Sequence, residues 1–188
     1  MRQKTILFMV AALLFGGMTL GQAKEAKATD LAVTANFLRS NEYSGDFAFG
    51  IGAYGTSKYD FSFYMNTMFS FHSESDHYDS LTIESFGDPV RDRKKDLFML
   101  SAGPTYGISE YCAIYSGLGF GVEWGYVKKY DPMHILSDDG IYYVDDPSRD
   151  NTGVNLNVGL LLFLKDFTLE FGYHTFPQKT YLGAGWRF

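Results

Sequence analysis

The chain lacks most of what would hold together, divide or charge a protein of its size. Cys112 is its only cysteine, so no intramolecular disulfide can form and the fold must stand without one. A small, half-buried strand residue is the expected role for Cys112, because no partner for a nucleophilic thiol is visible. Proline is scarce at 5 residues, and no linker marks a domain boundary. Positive charge is in deficit, with a net charge of −6, which argues against a nucleic-acid partner whose phosphates would demand a basic face. Beyond the first twenty or so residues, no apolar run is long enough to cross a bilayer as a helix. Residence in a membrane would then require a closed barrel, in which strand pairing satisfies every backbone group.

What is present begins with Arg2 and Lys4 ahead of the apolar stretch Thr5 to Leu20. A charged start, a short apolar run and a small-residue cleavage site make a secretory signal peptide. Gly21-Gln22-Ala23 or Ala26-Lys27-Ala28 could supply the site. A transmembrane anchor is the competing reading, and the run is short for it. No cysteine follows the run to accept a lipid. The expected organisation is therefore a signal peptide over 1–23 and one domain over 24–188. The other excess is aromatic: 18% of the chain, with 17 Phe, 14 Tyr and 20 Gly, which suits strands whose rings face lipid and whose glycines pack inside a narrow barrel.

The test of that idea is period two, because side chains alternate across a strand. Leu182, Ala184, Trp186 and Phe188 fall on one side of the last segment, with Tyr181, Gly183, Gly185 and Arg187 on the other. Phe167 to His174, Val154 to Leu164, Ala113 to Lys128, Leu97 to Ile108, Tyr59 to Phe71 and Phe47 to Tyr54 repeat the pattern. Asp60, Glu123, Glu170 and Arg187 all fall on the glycine-bearing side, whereas the side bearing Phe, Leu and Val is nearly free of charge. A soluble barrel or sandwich would turn its apolar side chains inward. The pattern instead predicts apolar residues outward and small, polar ones in the lumen. An eighth strand could be Leu31 to Leu38 or Ser80 to Phe86. The first is preferred, since it sets short turns at Thr56-Ser57-Lys58, Ser109-Glu110 and Lys165-Asp166 on one side and long loops on the other. Pro104 removes a ladder donor and predicts a bulge.

The terminal run Gly172 to Phe188, ending Leu182-Gly-Ala-Gly-Trp186-Arg-Phe188, resembles the C-terminal strand by which outer-membrane barrels are recognised for assembly. With the secretion signal and the run Gly103-Pro-Thr-Tyr-Gly-Ile-Ser-Glu-Tyr followed by Gly117-Leu-Gly-Phe-Gly, the mature chain resembles the small OmpA/OmpX-like outer-membrane β-barrels. The resemblance implies an all-β, transmembrane, antiparallel up-and-down barrel of eight strands in the outer membrane of a Gram-negative bacterium. It implies as partners outer-membrane lipid and lipopolysaccharide, the assembly machinery through the C-terminal strand, and an unidentified extracellular molecule met by the surface loops. The role it implies is non-enzymatic, in envelope integrity or adhesion; a lipid-acting barrel of the lipid A deacylase class is the alternative.

Candidate chemistry is sparse. His72-Ser73-Glu74 has the residue types of a hydrolytic site, but neighbours on a strand point to opposite faces. His174 is followed by Thr175 and Phe176, which does not supply the His and Ser two apart that the deacylase alternative needs. Both histidines are expected at the rim or in the lumen. Asp131, Asp138, Asp139, Asp145, Asp146 and Asp150, set against Lys129 and Arg149, could bind a divalent cation or form a solvated acidic loop. Arg91, Arg93, Lys94 and Lys95 are expected in a loop, solvated or against outer-leaflet phosphates. Inward Tyr54, Tyr64, Met68, Tyr115, Leu161 and Phe163 would block a pore. Glu170 and Arg187 are expected to share a lumen charge network. No catalytic, cofactor or metal residue is assigned.

Overall fold

A computed structural model describes residues 30–71, 76–78 and 80–188. The signal peptide expected over 1–23 and the run His72-Ser73-Glu74 lie outside the described residues. Among the described residues nine strands form: β1 (Asp30–Arg39), β2 (Phe47–Thr56), β3 (Phe61–Ser70), β4 (Val90–Ser109), β5 (Cys112–Tyr130), β6 (Ile141–Asp145), β7 (Asn151–Leu164), β8 (Phe167–His174) and β9 (Lys179–Arg187). Eight of them close antiparallel into a ring in the order β1-β2-β3-β4-β5-β7-β8-β9. Two backbone bonds complete the closure between the ends, Leu31 N–H to Phe188 O at 3.1 Å and Phe188 N–H to Leu31 O at 2.8 Å. The eighth barrel strand is thus the segment around Leu31 to Leu38, and Ser80 to Phe86 lies in a loop.

Alternation decides which face looks where. Phe47, Phe49 and Ile51 of β2, Phe61 and Phe63 of β3, Leu118 and Phe120 of β5 and Leu156 and Val158 of β7 are exposed. Their neighbours Ala48, Tyr54, Tyr64, Tyr115, Asn155 and Asn157 are buried. The apolar belt faces outward, which rules out the soluble sandwich with its apolar interior. Inside, Tyr54 and Tyr64 stack with ring centroids 5.4 Å apart, and Tyr115 leans on both. With Met68, Leu161 and Phe163 also buried, side chains fill the lumen as expected of eight strands.

Pro104 causes no shift. It pairs with Phe63 in unbroken register, and the irregularities in β4 fall between Val90 and Asp92 and between Gly107 and Ser109. The missing donor falls where Gly103 and Pro104 make no register pair with β5, so the ladder skips a rung without gaining a residue. Cys112 opens β5 half-buried, at the short-turn end.

One departure from the sequence pattern is large. β4 and β5 remain paired as far as Val90 and Lys129, whereas β3 leaves β4 at Leu97. The hairpin therefore rises roughly 20 Å past the barrel, at about 3.3 Å per residue. β7 occupies the far edge of β5 up to Glu123, and β6 takes that edge over from Tyr126. The result is a three-stranded ribbon standing on the long-loop end of the barrel.

Candidate functional site

Three places concentrate polar chemistry: the lumen centre, the mouth and the ribbon. In the lumen, Glu170 of β8 is completely buried. Its carboxyl oxygens accept from Thr34 Oγ1 at 2.5 Å, from Tyr115 Oη at 2.6 Å and from Tyr54 Oη. Tyr181 Oη lies 2.5 Å from Tyr115 Oη, and Asn66 Nδ2 donates to Tyr181 Oη at 3.1 Å. These residues come from six strands, so the cluster fastens the ring across its diameter.

Arg187 takes no part, contrary to the expected charge network. It sits at the short-turn rim, with Nη1 donating to Glu110 O at 3.0 Å and its guanidinium over the Phe163 ring at 4.5 Å. Glu170 pairs in register with Gly183, four residues short of Arg187. Sharing an inward face set the direction of both side chains but not their height. Hydroxyl and amide donors surround the carboxyl group instead, and their number makes its burial tolerable.

His174 is in the lumen as well, 1% exposed and stacked on Tyr181 at 4.5 Å. Asn155 Nδ2 donates to His174 Nδ1 at 2.8 Å and to Ser101 Oγ at 2.9 Å. These three types could suggest a hydrolytic arrangement. However, the serine oxygen accepts from the asparagine and makes no bond to the histidine, and the group is walled off from the outer face. It is a packed polar layer.

The mouth is closed by the loop between β1 and β2. Lys95 N–H donates to Glu42 O at 2.7 Å, which lays this loop across the opening and buries Tyr43. Tyr43 Oη donates to Glu123 at 3.0 Å, and Lys95 Nζ meets the same carboxylate at 3.0 Å. Burial, then the Glu123 charge, push the Tyr43 hydroxyl well above its ordinary range. From the last loop, Phe176 turns inward over Gly121 and Gly153, where a Cβ would stand 2.4 and 2.6 Å from its ring. The glycine stripe of β5 is therefore partly a socket for this ring.

The basic cluster is not in a loop. Arg91, Arg93, Lys94 and Lys95 lie on the upper part of β4. Three of the four pair with acids: Arg93 with Asp146 at 3.3 Å and Lys94 with Asp46 at 2.9 Å join strand to loop, and Lys95 joins β4 to Glu123 of β5 and to Glu42 of the first loop at 3.8 Å. Arg91 lies over the Tyr130 ring at 5.0 Å. The aspartates are similarly engaged. Asp131 accepts from the amides of Met133, Ile135 and Leu136 at 2.8, 2.6 and 2.9 Å. Asp139 accepts from Ser137 Oγ and Ile141 N–H, and Asp150 from Gly125 N–H. Asp145 meets His77 at 2.8 Å. The amide of Leu136, foremost among these donors, holds Asp131 below the usual carboxylate range, and the amide of Ile141 does the same for Asp139. Among the described residues, no three of His, Cys, Asp and Glu converge as metal ligands would. The acids act as turn caps that give the ribbon its shape.

Beneath them the ribbon has its own apolar core. Val127, Tyr142 and Val144 are buried against Tyr78, Leu81, Ile83 and Leu136. Buried Lys129 seals it by donating to Ile83 O at 2.7 Å and Ser85 O at 2.8 Å.

A closed eight-stranded antiparallel barrel with an apolar exterior, a filled polar interior and long loops at one end has the architecture of the small outer-membrane barrels. No protein-family model and no curated protein sequence matches the chain significantly. Among solved structures, it is similar to the crystal structure of Ail, the attachment invasion locus protein of Yersinia pestis. The TM-score is 0.53 at 16% identity, over 86% of this chain and 100% of that one. It is likewise similar to the Yersinia pestis outer membrane protein Ail in a phospholipid bilayer nanodisc, with TM-score 0.50, 18% identity and coverage of 86% and 100%. Neisserial surface protein A aligns with a TM-score of 0.38 at 12% identity, over 87% of this chain and 96% of that one.

Proposed function

We propose that this chain is a non-enzymatic barrel of a Gram-negative outer membrane that presents its ribbon outside the cell for adhesion or interaction. The observation that carries the reading is the pairing of a continuous outward apolar belt with a ribbon that has a hydrophobic core of its own. A belt of Phe, Leu and Val has no use in water, and loops that merely connect strands need no core. The similarity to a protein called an attachment invasion locus protein supports the same direction. Outer-membrane lipid and lipopolysaccharide are the surroundings in this proposal, and the C-terminal strand is the handle for assembly.

Two measurements test it. The protein should fractionate with outer membranes and migrate as a compact, heat-modifiable band on unboiled gels. Replacing residues 76–89 and 131–146 with short turns should leave that band intact while lowering attachment of expressing cells to host surfaces. Soluble periplasmic protein, or undiminished attachment, would contradict the proposal. Lipid-hydrolysing and pore readings find less support, since His174 is enclosed and the lumen is filled.

A further inference from the structure

Among the described residues, the large apolar side chains that stand furthest into solvent beyond the ribbon's core are Met133 and Ile135, each 76% exposed, and Phe86, 70% exposed. They share one end of the molecule. Phe86 follows Ser85, whose carbonyl is held by Lys129, and Tyr130 N–H donates to Pro89 O at 3.1 Å. The turn carrying Met133 and Ile135 starts directly after Tyr130 and closes where Asp131 N–H donates to Gly140 O at 2.7 Å.

Nothing about the turn is slack. Asp131 binds the amides of Met133 and Ile135 themselves, so the backbone beneath both side chains is fixed while the side chains are left outside. Leu136, the next residue, shows the alternative: it packs into the core. Exposed apolar groups on a fixed backbone lose little entropy on binding, which is what a contact surface requires. Charge narrows the partner. Segments 80–89 and 131–140 contain Glu84, Asp88, Asp131, Asp138 and Asp139 and no lysine or arginine. Arg91, Arg93, Lys94 and Lys95 lie below them on β4. Of the cations on β5, Lys129 is buried and spent on Ile83 O and Ser85 O, and Lys128 lies over the Tyr143 ring, so the exposed rim of the tip is left to Glu84, Asp138 and Asp139. An anionic bilayer surface would repel this tip, and a second copy of it would as well.

We infer that the tip formed by Phe86, Met133 and Ile135 is a docking surface for a cationic, apolar segment of a partner protein, its apolar side chains seating between these three and its cations against the acidic rim. The inference rests on the reading of the ribbon as an outward-facing interaction element and specifies its partner chemistry.

The test uses the full mature protein in zwitterionic nanodiscs, with a fluorescent peptide alternating Lys and Leu as probe, its Glu–Leu counterpart as control and empty nanodiscs as background. The Lys–Leu peptide should bind above background. The triple variant F86S/M133S/I135S should weaken binding by about tenfold or more, since a few central apolar anchors carry most of such an interface. E84Q/D138N, which leaves the capping aspartates in place, should weaken it less and flatten its salt dependence. These residues are exposed, so the barrel should survive, as the heat-modifiable band will report. Equal binding by the triple variant, or equal binding of the Glu–Leu peptide, overturns the inference. Tip-dependent flotation with phosphatidylcholine or phosphatidylserine vesicles, with no peptide binding, would assign the tip to lipid and overturn it too. Loss of the barrel band in the unaltered protein would instead strike the functional reading beneath it.

Discussion

Asp131 and Glu170 each collect several donors, and each does so for a different end. Asp131 shapes a surface turn. Asp131→Ala should free the amides of Met133, Ile135 and Leu136, raising their hydrogen exchange by about tenfold or more while barrel amides stay protected. Unchanged exchange would mean that the turn holds itself. Because the folded value is depressed below the ordinary 3.8, the stabilisation from this carboxylate is complete above that pH and is lost as pH falls through the folded value. Asp139 is depressed in the same sense. The tip should thus keep its amide protection at pH 5 and lose it only as pH falls below 3.8 and through the depressed folded values. Glu170 ties strands together. Glu170→Ala would strand the hydroxyls of Thr34, Tyr54 and Tyr115 in the lumen, costing roughly 3 kcal/mol or more. Urea titration in bilayers would read this, and a loss under about 1 kcal/mol would show that the cluster rearranges at little cost.

At the scale of the strand, β7 offers the cleanest contrast. Val158 is outward and exposed, whereas Asn157 is buried, its Oδ1 accepting from Tyr64 Oη. Val158→Arg should cost roughly 2–4 kcal/mol near the bilayer midplane, and Arg at exposed Glu84 should cost almost nothing. Equal costs in the same refolding titration would contradict a lipid-facing β7. The barrel strands were legible because lipid and lumen impose opposite demands on alternate residues. Phe61 to Phe71 or Leu182 to Phe188 could hardly read otherwise. The ribbon was not legible for the same reason in reverse. Above the membrane, both faces of β4 meet water or loops, so Arg91 to Asp96 shows no alternation and reads as a charged loop. β6 is five residues long and is specified by its pairing with Tyr126 to Tyr130, a partner no local pattern announces. The lumen cluster was half legible. Period two placed Glu170 and Arg187 inward, but the strand register that separates their heights is set by pairing and turn geometry.

For the molecule as a whole, Phe188 belongs to two accounts. Its ring is exposed on the outward face it shares with Trp186, as an assembly signal would be, and its backbone adds the last rung, to Leu31, of the β1–β9 ladder that closes the barrel. Deleting the residue would remove both, so Phe188→Ala is the sharper variant. It should refold in detergent, with a loss of about 1–3 kcal/mol, but accumulate less in cellular outer membranes. Normal cellular levels would mean that the ring is no signal. The most direct measurement of the central claim is an accessibility scan of β7. With Cys112 replaced by serine, a fluorophore is placed in turn at each residue from Val154 to Leu162 of the bilayer-embedded protein, and quenching by a lipid-borne nitroxide is recorded. Strong quenching at Val154, Leu156, Val158, Leu160 and Leu162 alternating with weak quenching at Asn155, Asn157, Gly159 and Leu161 is the predicted result. A flat profile, or the opposite phase, would contradict a barrel that turns its apolar face to lipid.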